Sequence, residues 1–161
     1  MSNTNLEKGL FMTPENYKSK FTFNDKDLAL DIYNAYTTSG NSRIAGGKIT
    51  IAIKKYKVHL MITMIRKIMN EQNLDITPRV ALRLQERLFN RNVAYPTLIS
   101  EFAEKGRTAS NKSDVFDKID ELVDMYGNEA RSEMINIEAK IKEIKAREKK
   151  RSKDLALFDL A

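Results

Sequence analysis

A chain of 161 residues, 42% hydrophobic and 31% charged, has the length and composition of a folded protein with a substantial core. Its formal charge of +6 and pI near 9.4 favour an anionic partner, while the lack of any cysteine excludes disulfides, thiolate metal sites and cysteine nucleophiles. No run of 18 apolar residues and no basic-then-apolar leader occurs, so the expectation is a cytoplasmic protein with no membrane partner.

Residues 1–23 read as a loosely ordered lead-in, with Thr13-Pro14-Glu15 as a short helix start. Asn24 then caps a helix, Asp27 stands at the capping-box position, and Leu28, Ile32, Ala35 and Tyr36 share one face. The helix is expected to stop within TTSGN (Thr37–Asn41), and Gly46-Gly47 to make a second break. In KITIAIK (48–54), Ile49, Ile51 and Ile53 alternate with Lys48, Thr50, Ala52 and Lys54, the period of a half-buried strand. From Val58 to Gln72 the apolar residues fit a helix and a second strand about equally; Arg66-Lys67 and the MNEQ ending favour the helix.

Thr77-Pro78 supplies a cap and first-turn pair for a helix to Asn90, with Val80, Ala81, Leu84 and Leu88 inward and Arg79, Arg83, Arg87 and Arg91 in an outward stripe. Pro96-Thr97 opens a shorter helix through Leu98, Ile99, Phe102 and Ala103 that should end near Gly106, and Arg107–Ser113 reads as a polar loop. Val115, Ile119, Leu122 and Tyr126 form the next stripe, with a break or bend expected at Gly127-Asn128. Met134, Ile137, Ile141 and Ile144 then follow at the 3-4-3 spacing of a short coiled coil or helical hairpin. Charge is segregated along this half: residues 114–138 carry eight acids and two bases, residues 139–153 eight bases and two acids. The fold expected is therefore mainly α, a compact basic helical domain at 24–106 with one short strand at 48–54. Charge-segregated helices for self-association (113–153) and an apolar tail (154–161) follow it.

Enzyme chemistry has little to stand on. His59 is the sole histidine and has no second metal-type ligand beside it; a structural role is the plain reading. Asp117, Asp120, Glu121 and Asp124 lack a calcium-loop glycine and read as a solvated face. Gly40–Lys48 fails as a phosphate loop because its Gly-Lys comes late and Ile49 stands where a hydroxyl ligand is required. Neither a cofactor nor a metal is expected.

Residues 42–91 hold eleven Lys and Arg against three acids, a local charge of +8, which points to nucleic acid. A strand followed by two helices over 48–90 resembles the ribbon-helix-helix family. By that resemblance Lys48, Thr50, Ala52 and Lys54 would face bases in the major groove, and the helix starting at Thr77 would offer N–H groups to phosphate. A helix-turn-helix over Thr50–Ile68 is the weaker match, since Ile53 and Lys57 stand where a small residue and glycine are normal. The plain reading of the same residues is an edge strand guarded by lysines beside a soluble helix face.

At the end of the chain Asp154-Leu155-Ala156-Leu157-Phe158 resembles the QLxLF motif by which bacterial replication and repair proteins dock on the sliding clamp, with Asp154 in place of glutamine. Leu155, Leu157 and Phe158 would then anchor on the clamp or on another protein. The expectation is a non-enzymatic nucleic-acid-binding factor, on double-stranded DNA before RNA, accessory or regulatory in transcription, replication or DNA packaging. Lys54, Lys55, Lys57 and the Arg79–Arg91 stripe would contact phosphate. The alternative is a helical adaptor or inhibitor that binds a protein through its C-terminal half and tail.

Overall fold

A helix end leaves backbone N–H groups without partners, and the side chains that take them up set where the helices of this chain begin. The structure, a computed structural model, describes residues 23–90, 95–103 and 112–160. Among these there are six α-helices and no strand: α1 (Asp25–Thr38), α2 (Ser42–Gln72), α3 (Pro78–Phe89), α4 (Tyr95–Phe102), α5 (Lys112–Asp117) and α6 (Ile119–Leu160). Asn24 Oδ1 accepts from the N–H groups of Lys26 and Asp27 at 2.9 and 3.1 Å, and Asp27 returns the bond at 3.3 Å, completing the capping box. Thr77 caps α3 with Pro78 in its first turn, and Asn90 closes it in the left-handed conformation. The lead-in to residue 22, Arg91, Gly106 and residues 107–111 lie outside the described residues, as do the side chains of Leu157 and Phe158.

Helix α2 corrects the expectation at 46–54. The strand at 48–54 is helix, the glycine break at 46–47 is absent, and a single uninterrupted helix runs from 42 to 72. With no strand there is no ribbon to pair, and with no turn between Thr50 and Ile68 the helix-turn-helix alternative goes as well. The physical reason is visible in the burial: Ala45, Ile49, Ala52 and Tyr56 are hidden at 4-3-4 spacing, while Ile51, which the strand pattern placed inward with Ile49, is 58% exposed. Seven alternating residues carried a period-2 signal that the longer helical stripe overrides. Asn41 starts the helix ahead of the glycines, its Oδ1 accepting from the Ile44 N–H at 2.9 Å.

Residues 58–68 looked both helical and strand-like because the helix is covered on most sides there: Val58, Met61, Ile62, Met64, Ile65 and Ile68 are all buried. Helix α6 likewise runs through Gly127-Asn128, so the expected break and helical hairpin are replaced by one 42-residue helix. A glycine inside a helix costs about 1 kcal/mol, which the flanking buried Tyr126 and Ala130 outweigh.

The chain divides into two compact units that do not follow chain order. One holds Phe23–His59 with Glu133–Ala161, the other Leu60–Ser132, and both α2 and α6 contribute to each. In the first, the stripes Leu28, Ile32, Ala35 on α1, Ala45, Ile49, Ala52, Tyr56 on α2 and Met134, Ile141, Ile144 on α6 are buried, and the three alanines permit close helix approach. The Tyr56 hydroxyl donates to Asp25, which also pairs with Lys140 at 3.2 Å, and Lys57 pairs with Glu138 at 3.3 Å. The Arg151 guanidinium lies 4.5 Å from the Tyr33 ring centre and pairs with the buried carboxylate of Glu148 at 3.1 Å.

In the second unit the buried Glu101 receives Arg66 at 2.6 Å, and the same guanidinium stacks on the Phe102 ring at 5.1 Å. Tyr126 donates to Glu71 at 2.9 Å and accepts from Gln72 at 3.0 Å, tying α6 to the end of α2. Val80, Ala81, Leu84 and Leu88 of α3 are buried as their spacing predicts, together with Leu98 of α4 and Val115 of α5.

Replacing Gly46 or Gly47 by Ala should raise stability by roughly 0.5–1 kcal/mol each, since an added Cβ meets nothing within 4 Å at either site. Thermal denaturation reads this directly; a loss of stability or helicity would return a turn to 46–47.

A second expectation concerns Asp25, whose carboxyl is held below its ordinary value of 3.8 first by the Tyr56 hydroxyl and then by Lys140, against the effect of partial burial. Tyr56 is correspondingly driven up, by burial and by its bond to Asp25. A depressed carboxylate stabilises the fold above its unfolded pKa, and this contribution is lost as pH falls through the depressed one. Tyr56→Phe should therefore cost about 1 kcal/mol at neutral pH. The gap should narrow below pH 3.8, and the Asp25 resonance should titrate at higher pH. An unchanged Asp25 titration would mean that the hydroxyl does not hold it.

Candidate nucleic-acid interface

The positive charge is unevenly shared between the two units. Phe23–His59 with Glu133–Ala161 carries fourteen Lys and Arg against nine Asp and Glu, a net +5, whereas Leu60–Ser132 carries eleven of each and is neutral. Between Ser42 and His59 there is no acid at all, and five bases project from that part of α2. A helix there hides one narrow stripe and leaves the rest of its circumference to solvent, so composition alone makes this surface cationic.

The residues singled out from the sequence fall into two groups. Lys48, Thr50, Lys54 and Lys55 are exposed on α2, and Lys57 is half-buried beside Glu138. Helical spacing puts Lys48 and Lys55 along one side with the exposed Ile44 and Ile51, and puts Thr50, Lys54 and Lys57 along another. Arg79, Arg83 and Arg87 are exposed on α3 in the other unit. Arg79 lies 5.5 Å from the Phe116 ring centre and Arg87 pairs with Asp120, so two of these three guanidinium groups already have partners within the protein. Ala52, expected to face bases as part of a strand, is buried in the stripe of α2.

An open groove of about 560 Å³ lies within the cationic unit. Ile53 of α2 and Ile141 and Ala146 of α6 give it apolar surface, and Tyr36 lines it from the last part of α1. Lys57, Lys142, Lys145 and Lys149 also line it, with Glu138 as its only acid, held by Lys57. Lys142, Lys145 and Lys149 are exposed and recur at 3-4 spacing, forming a stripe along one side of α6.

Reading along the sequence missed these three lysines and Tyr36 as site residues. Their spacing is present in the basic run 139–153, but the neighbouring run of opposite sign, 114–138, points to pairing between segments and so to self-association. The spacing of α1 places Tyr36 on its core face, and the ring is half-buried there.

Among the described residues, no cluster of three or more His, Cys, Asp and Glu could hold a metal ion, and no helix is long and apolar enough to cross a membrane. Asp154–Phe158 continues α6, with Leu155 43% exposed. Comparison with known proteins finds no family model, no curated protein and no solved structure that matches this chain.

Proposed function

We propose that this is a non-enzymatic nucleic-acid-binding protein, an accessory or regulatory factor in transcription, replication or DNA packaging that works in the cytoplasm. The observation that carries the reading is the confinement of the positive excess to one unit, whose α2 segment bears five bases and no acid. A surface of that sign attracts phosphate whatever the base sequence, and releases counterions on binding. Lys48, Lys54 and Lys55 are the phosphate contacts favoured by exposure, and no ion pair to them occurs among the described residues. Arg83 is a further contact, while Arg79 and Arg87 are less available because they already serve the fold. The exposed Leu155 at the far end of α6 favours a second contact, to a protein such as a sliding clamp, through the tail.

Gel shifts in rising salt test this. Binding of DNA should fall steeply with salt, and Lys48→Gln, Lys54→Gln, Lys55→Gln together should flatten the log–log slope by roughly 2–3, about 0.7–0.9 for each phosphate contact. Arg79→Gln with Arg87→Gln should change the slope less and the melting temperature more. Absence of any binding at low salt removes the reading; a slope that responds to the arginines alone moves the surface to the neutral unit.

A further inference from the structure

The lysine stripe Lys142, Lys145, Lys149 borders a groove that, beside the Lys57–Glu138 pair, presents apolar and aromatic surface, and these two features together select a ligand. A surface meant only for polyanion backbone needs cations and nothing else. Here Ile53, Ile141 and Ala146 sit beside the cations with the half-buried ring of Tyr36, which is the composition that takes a flat, weakly polar group joined to an anion. At 1.5 Å per residue the stripe is about 10 Å long, and long lysine stems bring its three ammonium groups within reach of three successive phosphates, which span about 7 Å in a stacked strand at about 3.4 Å per step. About 560 Å³ is the size of a small-molecule pocket, enough for one or two bases. In a duplex those bases are stacked and paired and present no face to such a groove.

We propose that this groove binds single-stranded nucleic acid, with successive phosphates on Lys142, Lys145 and Lys149 and an unpaired base against Tyr36 and Ile53. The proposal rests on the nucleic-acid reading above and specifies the form of the ligand. Glu138 stands one turn before Lys142 on the same side of α6, and Lys57 offsets its carboxylate at 3.3 Å, which leaves the three lysines as the excess charge of the groove. Base stacking tolerates any sequence because every base has a π face, so the groove should discriminate strandedness and not sequence.

Fluorescence anisotropy on the full chain tests it with three probes: a short labelled oligo(dT), a DNA duplex of the same length, and long-chain inorganic polyphosphate as a competitor that offers charge without bases. Oligo(dT) should bind at least tenfold tighter than the duplex, and polyphosphate of equal charge should displace it poorly. Lys142→Gln, Lys145→Gln, Lys149→Gln should flatten the oligo(dT) salt slope by roughly 2, about 0.7 for each contact. Tyr36→Leu, which keeps an apolar side chain but removes the ring, should weaken oligo(dT) at least fivefold with the slope unchanged, the fold-change equivalent to about 1 kcal/mol of stacking. Tyr36→Phe should bind as the parent does, and melting curves of both variants show whether the fold is intact. If oligo(dT), duplex and polyphosphate bind alike and Tyr36→Leu has no effect, the groove is only a cluster of cations; the groove proposal fails while the nucleic-acid reading stands. If neither DNA probe binds at low salt, both fail.

Discussion

Much in this protein depends on how little of α2 is apolar over its first half. A helical segment that carries two exposed glycines and five bases between residues 42 and 59, with no acid among them, has weak intrinsic propensity and a good deal of self-repulsion. It persists because Ala45, Ile49, Ala52 and Tyr56 are removed from water. Since that stripe is narrow, the rest of the helix has to stay in solvent with its charges outward. The same constraint that makes the segment need partners for its fold leaves it with cationic surface to spare.

Polar contacts then decide which charges remain available. Asp25 collects Tyr56 and Lys140, Glu138 takes Lys57, and Glu148 takes Arg147 and Arg151, so these five bonds in the cationic unit use its acids against a few of its own donors. In the neutral unit the balance runs the other way, with Arg66, Lys67 and Arg87 each answered by a carboxylate. Arginine is suited to such internal work, because a planar guanidinium can pair and stack at once, as Arg66 does with Glu101 and Phe102. Lys48, Lys54 and Lys55, compact and strongly hydrated, remain on the open surface, together with Arg83.

How far this was legible in the sequence depended on the range of the interaction. The caps at Asn24 and Thr77, the buried face of α3 and the stop after Thr38 all follow from neighbours within a few residues, and the sequence contains everything that fixes them. KITIAIK misleads because a seven-residue window offers three alternating isoleucines, and only the longer frame from Ala45 to Tyr56 shows which of them is hidden. Gly46-Gly47 and Gly127 read as breaks because a glycine's cost is local and the packing that outweighs it is not. The groove was the least legible feature. Its residues come from α1, α2 and α6, and nothing in the linear charge pattern says that Tyr36 and Lys149 line one depression.

That assembly also has a consequence for the order of events when the chain is made. The unit bearing the groove is written in two pieces, Phe23–His59 and Glu133–Ala161, with the whole of Leu60–Ser132 between them. Synthesis proceeds from the N-terminus, so α1 and the start of α2 emerge long before the part of α6 that belongs to the same unit. Until then the stripe of Ala45, Ile49, Ala52 and Tyr56 lacks that part of its cover, and its closure must wait for a contact across more than 70 residues of chain. The intervening segment is free to fold first and to shorten the effective loop that the ends must bridge. The groove therefore forms only after Glu133–Ala161 has been made, and a nascent chain stopped before Glu133 carries its basic α2 segment without it.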